Sequence, residues 1–387
     1  MEEKQAFRKN WIDAAKAVAI FIVVLNHSGL HIPGVNFWGG IFYVPIFFLL
    51  SGYTYHSTEE SLGSFAKKKT HRLLLPYFVT NLILFLIFFV KDMTFDVDMT
   101  DSFSKNMTFY ILVFLLTLYR AEFGALYGRS YLFKSGYHGM IEVKEPLMNY
   151  LNSPTWFLLA LFLVLVCADG IYRKTKGKPK KICLILGIWL LLMIPHYYLG
   201  LILFPWSLDI LPILLIFFFV GHYLSKEKLL EKLEDSTGVR KWGIIGGCLI
   251  IALLSALLNG SYNLSINDMG KSVILCIVSA MSLSCLLLLF LRWVEKKLPA
   301  LVKTLGRLGR HTLTILCWHF FVMQMFFTAV SAVLGSEWRN GGVQNALICL
   351  AGIVISMTAC VCLDLILDKL HDNRKGSIKG SKEKYGE

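Results

Sequence analysis

The sequence predicts an all-α, polytopic membrane protein with about ten transmembrane helices. Composition, the spacing of apolar runs and the placement of positive charge lead to this fold class. Hydrophobic residues make up 56% of the 387 residues and charged residues only 17%, which is too apolar for a soluble domain of this length. A net charge of +13 would suggest nucleic-acid binding in a soluble chain. Here we interpret it as a signal of membrane topology, with membrane lipids and not nucleic acid as the partner.

Ten apolar runs are long enough to cross a bilayer, because a transmembrane helix needs roughly 17 to 25 residues. The first run follows Lys4, Arg8 and Lys9 and ends without a small-residue cleavage site, so we expect it to be retained as a helix. The runs lie near residues 12–30, 38–55, 73–90, 154–172, 182–199, 201–224, 243–259, 270–292, 312–334 and 343–367.

Positive charge is concentrated in every second loop between these runs. With the N-terminus placed inside, the inner segments hold 30 of the 39 Lys and Arg residues, and the positive-inside rule then predicts an N-in, C-in topology. We expect a single transmembrane domain over residues 1–372 and a disordered, basic cytoplasmic tail over 373–387. The predicted location is the cell (plasma or inner) membrane.

A further apolar stretch near residues 107–119 is shorter than a typical transmembrane helix. A full crossing there would also place the basic loop 173–181 outside. We therefore predict a re-entrant or interfacial helix within a long outer segment, residues 91–153.

The first apolar run carries ionisable residues, which membrane helices rarely contain without using them. Lys16 and His27 are eleven residues apart, so they share one helix face and are separated by about 16 Å along the axis. Asp13 lies one turn from Lys16 and can pair with it. Ordinary alternatives are a cap, a snorkelling lysine and a boundary histidine. His27 also has the chemistry of a general base for acyl transfer, since imidazole exchanges protons near neutral pH.

Several motifs together resemble the acyltransferase type 3 family, whose members are integral membrane enzymes that acylate carbohydrates. The resemblance covers nearly the whole chain and implies about ten membrane helices in the same orientation. The motifs are Asp13-x-x-Lys16 with His27, Phe47-Phe48-x-x-Ser51-Gly52, Lys69-x-x-Arg72 with Pro76-Tyr77, Trp156-Phe157-Leu158, and Gly309-x-x-Thr312 with His319.

The resemblance implies roles for particular residues of this chain. His27 matches the essential histidine of the family, Lys16 its basic residue and Asp13 the preceding aspartate, so these three are the candidate catalytic residues. Arg72, Lys69 and Lys68 are candidates for holding the phosphates of acyl-coenzyme A, although basic residues are also expected at an inner helix end.

Three further residues are candidates for contact with the substrate. Each also has a structural explanation. Ser51 and the following Gly52 are also explained by close packing of helices. Trp156 could be an interfacial anchor, and His319 could be a buried histidine bonded to a carbonyl group.

The chain departs from part of the family at the fourth span. Trp156 is followed by Phe-Leu-Leu-Ala160, without the Glu found in many members that modify peptidoglycan or O-antigen. We also expect no second soluble domain after the tenth span. The chain therefore resembles the small, single-domain branch that includes sugar O-acetylases and polysaccharide-modifying proteins of biofilm gene clusters.

The predicted function is transfer of an acyl group, acetyl in the first instance, from cytoplasmic acyl-coenzyme A to a hydroxyl of a cell-surface carbohydrate or its lipid-linked precursor. Acetyl-coenzyme A is then a co-substrate, and no permanently bound cofactor or metal is expected, since Cys360-x-Cys362 lacks ligand-spaced partners. The oligomeric state is left open. Transport of an amino acid or a glycan is the alternative, and a sensor or scaffold without catalysis is a third possibility.

Overall fold

A computed structural model describes residues 9–95, 152–199, 204–335 and 337–385. Helices make up most of these ranges. The described residues contain no β-strand, only an isolated bridge between Asn263 and Asp268. The predicted all-α class is therefore confirmed, whereas the helix predicted near residues 107–119 lies outside the described residues.

The helices are numbered in chain order, and a π-helical turn at Thr70–Leu74 joins the fourth to the fifth. They are α1 (Asn10–His27), α2 (Val35–Phe42), α3 (Pro45–Tyr53), α4 (Leu62–Lys69), α5 (Leu75–Phe95), α6 (Trp156–Thr175), α7 (Pro179–Leu199), α8 (Leu211–Lys226), α9 (Leu229–Glu234), α10 (Gly238–Asn259), α11 (Val273–Lys297), α12 (Pro299–Arg310), α13 (Thr312–Leu334) and α14 (Gly342–Tyr385).

Eight helical segments of the described chain are long and apolar enough to cross a membrane. The α2 and α3 pair adds a ninth if it forms one bent span. The expected count of about ten is thus not confirmed within the described residues. α1 is not among these segments, because polar residues such as Asp13, Lys16 and His27 reduce its apolarity. A polytopic membrane protein is nevertheless the architecture that these helices describe.

The second predicted span, residues 38–55, is not one continuous helix. α2 and α3 meet at an angle of 41°, and Pro45 begins the second of them. Proline lacks the amide hydrogen of a helix interior and its ring restricts the preceding residue, so the chain bends before it.

Two other predicted boundaries also move. The third span begins at Leu62, because the basic stretch before Arg72 is already helical as α4 and the π-helical turn. The last helix, α14, continues to Tyr385 and so passes through the segment for which the sequence predicts a disordered tail.

The centre of the molecule is formed by α1, α3, α8 and their neighbours. The apolar window of the span that contains α8 is 72% buried, whereas the windows of α7 and α10 are only 22% buried. α7 and α10 therefore present most of their apolar surface outward, as expected of helices in contact with lipid.

Glycines allow two helix pairs around α1 and α3 to approach closely. A Cβ atom added at Gly309 of α12 would lie 1.8 Å from the carbonyl oxygen of Asp13 in α1. Gly221 of α8 and Gly52 of α3 each face the other helix in the same way, with an added Cβ 1.9 Å from Leu49 O and 1.8 Å from Phe218 O. These contacts fix α12 against α1 and α8 against α3.

Candidate functional site

Two cavities lie between these central helices and meet at a common wall. The large cavity has a volume of about 600 Å³ and the small cavity about 150 Å³. Both are lined by Phe47, Phe157, Thr312 and Leu316, which we call the shared wall. Of the nine candidate site residues, five line the large cavity and two line the small one. The five are Lys16, Ser51, Lys68, Lys69 and Arg72, and the two are His27 and Trp156.

Among the charged side chains that line the large cavity, cations outnumber carboxylates. They come from α1, α4, the π-helical turn and α12, while two carboxylates, Glu60 and Asp364, also line it. Such an arrangement suits a ligand with several negative charges, because charge-assisted hydrogen bonds to phosphate are among the strongest polar contacts in proteins. The cations are Lys16, Lys68, Lys69, Arg72 and Arg310.

Lys16 and Asp13 form the ion pair that their spacing predicts. Lys16 Nζ donates to Asp13 Oδ1 at 3.1 Å. The Lys16 side chain is 32% exposed, while that of Asp13 is only 3% exposed. Asp13 therefore lies behind the cavity surface, and Lys16 is the member of the pair that faces the cavity.

The three cations of α4 and the following turn have different surroundings. Lys68 Nζ donates to Glu60 Oε2 at 2.5 Å, and this hydrogen bond lowers the pKa of Glu60 below its ordinary value. Lys69 lies over the ring of Phe65, with 4.8 Å between Nζ and the ring centroid. Arg72 is exposed, and no ion pair to it occurs within the described ranges. A phosphate at Lys68 would therefore compete with Glu60 for the ammonium group, whereas Arg72 has no such competitor within the described ranges.

Ser51 lines the large cavity while its neighbour Gly52 packs against α8. The Ser51 hydroxyl donates to Phe47 O at 2.8 Å, which keeps it within its own helix. The two explanations offered for this dipeptide therefore apply to different residues. Gly52 serves helix packing, and Ser51 is available at the cavity surface.

A buried hydrogen-bonded network supports the same cavity. Tyr55 lines the cavity and its hydroxyl donates to Asp169 Oδ1 at 2.5 Å. Arg173 Nε donates to Asp169 Oδ2 at 2.6 Å, and a second Arg173 nitrogen donates to Thr58 O at 3.0 Å. These bonds hold the loop after α3 against α6.

A second hydrogen-bonded carboxylate, Asp364, lines the large cavity itself. Asp364 of α14 contacts His311 Nδ1 at 2.6 Å and accepts a hydrogen bond from Thr314. Arg310 lines the cavity one residue before His311. The link from α14 to the start of α13 therefore fixes the helix end that presents Arg310.

The small cavity contains His27 and Trp156. Trp156 is 6% exposed, so it is a buried wall residue and not a residue of the protein surface, as an interfacial anchor would be. The short 3₁₀ helix before it, Ser153–Thr155, is fixed by hydrogen bonds from Asn81 to Thr155 at 3.1 Å and from Asn152 to the carbonyl of Cys317. These contacts place Trp156 against α13, in the same small cavity as His27.

His27 is held by its Nδ1 atom. This atom lies 2.8 Å from Val23 O, and a carbonyl oxygen can only accept, so Nδ1 carries the hydrogen. In the neutral ring the lone pair is then on Nε2. Phe320 contacts the ring edge-on, with 5.6 Å between centroids. His27 is thus oriented with one nitrogen free to take up a proton.

His319 lies behind His27, in the wall of neither cavity as the described residues define them. It is 0% exposed, its Nδ1 lies 2.7 Å from Ile315 O, and its Nε2 lies 3.3 Å from His27 Nδ1. Its bond to a carbonyl group agrees with the explanation as a buried histidine. Because it lines neither cavity, direct contact with the substrate stays a prediction.

Sequence reasoning misses Arg310, Asp169 and Asp364. Asp169 and Asp364 could have been found by the signal that identifies Lys16 and His27, an ionisable residue within an apolar run. Arg310 gives no such signal, since it lies among other basic residues of a predicted inner segment, and only the packing of α12 on α1 brings it to the cavity.

A comparison with protein families gives a match to the acyltransferase domain of the acyltransferase 3 type over residues 9–365. No curated protein and no solved structure is significantly similar to this chain. The match spans both cavities and nearly the whole sequence, and it does not favour the transport alternative. The chain therefore belongs to the acyltransferase 3 family, a family of membrane-bound acyltransferases.

Proposed function

We propose that this protein is an O-acyltransferase of the plasma membrane that passes an acyl group from cytoplasmic acyl-coenzyme A to a hydroxyl of a cell-surface carbohydrate or its lipid-linked precursor. The observation that carries the proposal is the pair of cavities that meet at the shared wall, one rich in cations and the other containing His27. An elongated donor with a charged end and a reactive end matches this pair. The resemblance to the single-domain branch supports a sugar acceptor.

The orientation proposed for the donor follows from the positive-inside distribution. Four of the five cations of the large cavity, Lys68, Lys69, Arg72 and Arg310, belong to segments predicted to lie inside, so the donor enters there. Asn263 and Ser265 line the small cavity and belong to the loop between α10 and α11, which is predicted to lie outside. In this topology α1 also crosses the membrane and, added to the eight spans and the bent α2–α3 pair of the described chain, brings the count to ten. Lys16 then lies nearer the cytoplasm and His27 deeper. The acceptor then arrives from the outer side.

The large cavity would hold the phosphates of acyl-coenzyme A. Arg72 offers a planar fork of donors that binds phosphate oxygens in pairs, and Lys69 adds a point charge. Lys68 can join them through the N–H donors that Glu60 does not use. The narrow pantetheine arm then runs past Lys16 toward the shared wall, bringing the thioester close to His27.

His27 would act as the general base. Its Nε2 takes the proton of the acceptor hydroxyl as the hydroxyl oxygen attacks the carbonyl carbon of the thioester. The carbon–sulfur bond breaks, and the imidazolium returns the proton to the departing thiolate of coenzyme A. The products are an ester and free coenzyme A, with the histidine regenerated. Attack by His27 itself, through an acyl-imidazole, leads to the same products.

The proposed acyl group is acetyl. The small cavity measures about 150 Å³ and is bounded by bulky side chains, including Tyr43, Trp156 and Phe157. A short acyl group fits beside an approaching hydroxyl in such a space, and a long chain does not.

Replacement of His27 tests the function. In membrane vesicles supplied with radiolabelled acetyl-coenzyme A, His27→Ala should abolish transfer of label to carbohydrate, because no base remains in the small cavity. Mass spectrometry of surface glycans from cells with and without the gene should show the gain of one acetyl group.

His31→Ala is the matched control, since His31 is an exposed histidine just beyond the end of α1. This variant should transfer label as the wild type does. Both variants should be recovered from the membrane in equal amounts. Full activity of His27→Ala would overturn the assignment.

A further inference from the structure

The two histidines of the small-cavity region form a directed hydrogen-bonded pair. His319 Nδ1 faces Ile315 O at 2.7 Å, so this nitrogen carries the hydrogen of the neutral ring and Nε2 carries the lone pair. That lone pair lies 3.3 Å from Nδ1 of His27. Because His27 Nδ1 is itself a donor, its N–H faces two acceptors, Val23 O and His319 Nε2.

This arrangement matters most when His27 is charged. A proton taken up at Nε2 spreads positive charge over the ring, and its Nδ1–H becomes a stronger donor. Hydrogen bonds that involve a charged group contribute more than neutral ones. The lone pair of His319 therefore interacts more favourably with the imidazolium of His27 than with the neutral imidazole.

We propose that His319 is a positioning residue that orients His27 and stabilises its imidazolium during acyl transfer. This role rests on the proposed function of His27 as the base. It replaces the direct substrate contact that the sequence suggests for His319. The enclosed position of His319 supports the proposal, because a side chain with 0% exposure is not in contact with bulk solvent.

A pair of nearly isosteric substitutions separates this role from simple packing. His319→Gln keeps a hydrogen-bond acceptor near the position of Nε2, whereas His319→Met fills similar space without one. We expect His319→Met to lower kcat for acetyl transfer by about 10- to 100-fold and to leave KM for acetyl-coenzyme A within about twofold. His319→Gln should recover most of that loss.

Labelling of His27 by diethyl pyrocarbonate gives a second readout that does not require turnover. The reagent transfers its ethoxycarbonyl group to Nε2, and the ethyl carbonate that leaves decomposes to carbon dioxide and ethanol. Mass spectrometry of the peptide should show slower labelling of His27 in His319→Met than in the wild type or in His319→Gln. Labelling of exposed His31 should be equal in all three.

The outcomes distinguish this inference from the proposed function. Wild-type kcat and labelling in His319→Met, or equal losses in the Met and Gln variants with matched thermal stability, would overturn the positioning role. An increase in KM alone would instead restore the substrate contact. If the wild type transfers no acetyl group but the labelling rates differ as expected, the proposed function fails while the histidine pair stands.

Discussion

His27 and Lys16 are the residues at which sequence and structure agree most closely. Their spacing predicts a common face and an axial separation of about 16 Å, and the two side chains line different cavities on either side of the shared wall. Helix periodicity alone determines this relation, so no knowledge of tertiary packing is needed. The partner of His27 is different, because His319 is 292 positions away in the chain and only packing reveals the contact.

Lys16 provides a prediction at this scale. Lys16→Met removes a cation from the large cavity and breaks the bond to the enclosed carboxylate of Asp13. We expect the KM for acetyl-coenzyme A to rise about 10-fold or more, in line with the loss of a charge-assisted hydrogen bond. Lys16→Arg should keep most of the affinity, and steady-state kinetics in vesicles measures both.

The double variant Asp13→Asn/Lys16→Met separates binding from stability. It removes the buried negative charge together with its cation, so thermal stability in detergent should recover relative to Lys16→Met. The KM should stay high. A KM that recovers with the stability would show that Lys16 acts only on the fold.

At the scale of helices, close contacts between backbones hold the site together. The bond networks of Asp169 and Asp364 each tie down residues that line the large cavity, and the glycine contacts set the distance between the helices that carry its lining residues. A longer side chain at such a position would separate two helices and move Ser51 or Lys16 with them.

Gly221→Ala tests the contact between α3 and α8. Its new methyl group would lie 1.9 Å from the carbonyl oxygen of Leu49, a backbone atom that cannot rotate away, so the helices must separate. Overpacking of this kind costs about 1 to 3 kcal/mol. We expect a lower melting temperature in detergent and reduced acetyl transfer, since Ser51 moves with α3.

Gly243→Ala is the control for this substitution. Gly243 is an exposed helical glycine of α10 with nothing within 4 Å of an added Cβ. Because alanine favours helix more than glycine does, this variant should be as stable as the wild type or slightly more stable. A melting temperature that falls equally in both variants would contradict the role assigned to the α3–α8 contact.

The sequence predicts the apolar helices well and their breaks less well. Hydropathy follows composition over many residues, so long spans such as α11 and α13 are recognised directly. The bend between α2 and α3 depends on Pro45, one residue within a run that remains apolar throughout. α12 is missed as an element because its charged residues resemble a loop, although Gly306 and Gly309 pack it against α1.

At the scale of the whole molecule, topology decides which cavity faces which compartment. Four of the five cations of the large cavity, Lys68, Lys69, Arg72 and Arg310, fall in segments predicted to lie inside, and the loop that carries Asn263 and Ser265 is predicted to lie outside. The charge distribution thus predicts which compartment each of the two cavities faces. A single measurement of orientation tests both predictions.

Reporter fusions supply that measurement. Alkaline phosphatase, which is active only outside the cytoplasm, should be inactive when fused after Lys178 in the turn between α6 and α7. It should be active when fused after Asn263. A fluorescent protein that folds only in the cytoplasm should give the opposite pattern. The reverse result at both sites would invert the proposed entry sides of donor and acceptor.

The shared wall has a consequence for the cell's ion gradients. Three of its four side chains, Phe47, Phe157 and Leu316, are apolar, and they line both cavities where these meet. A continuous column of water between the compartments would let protons flow down their electrochemical gradient. Under the proposed function, apolar side chains at this junction would oppose such a column, so that an acyl group could pass from donor to acceptor without a proton leak across the membrane.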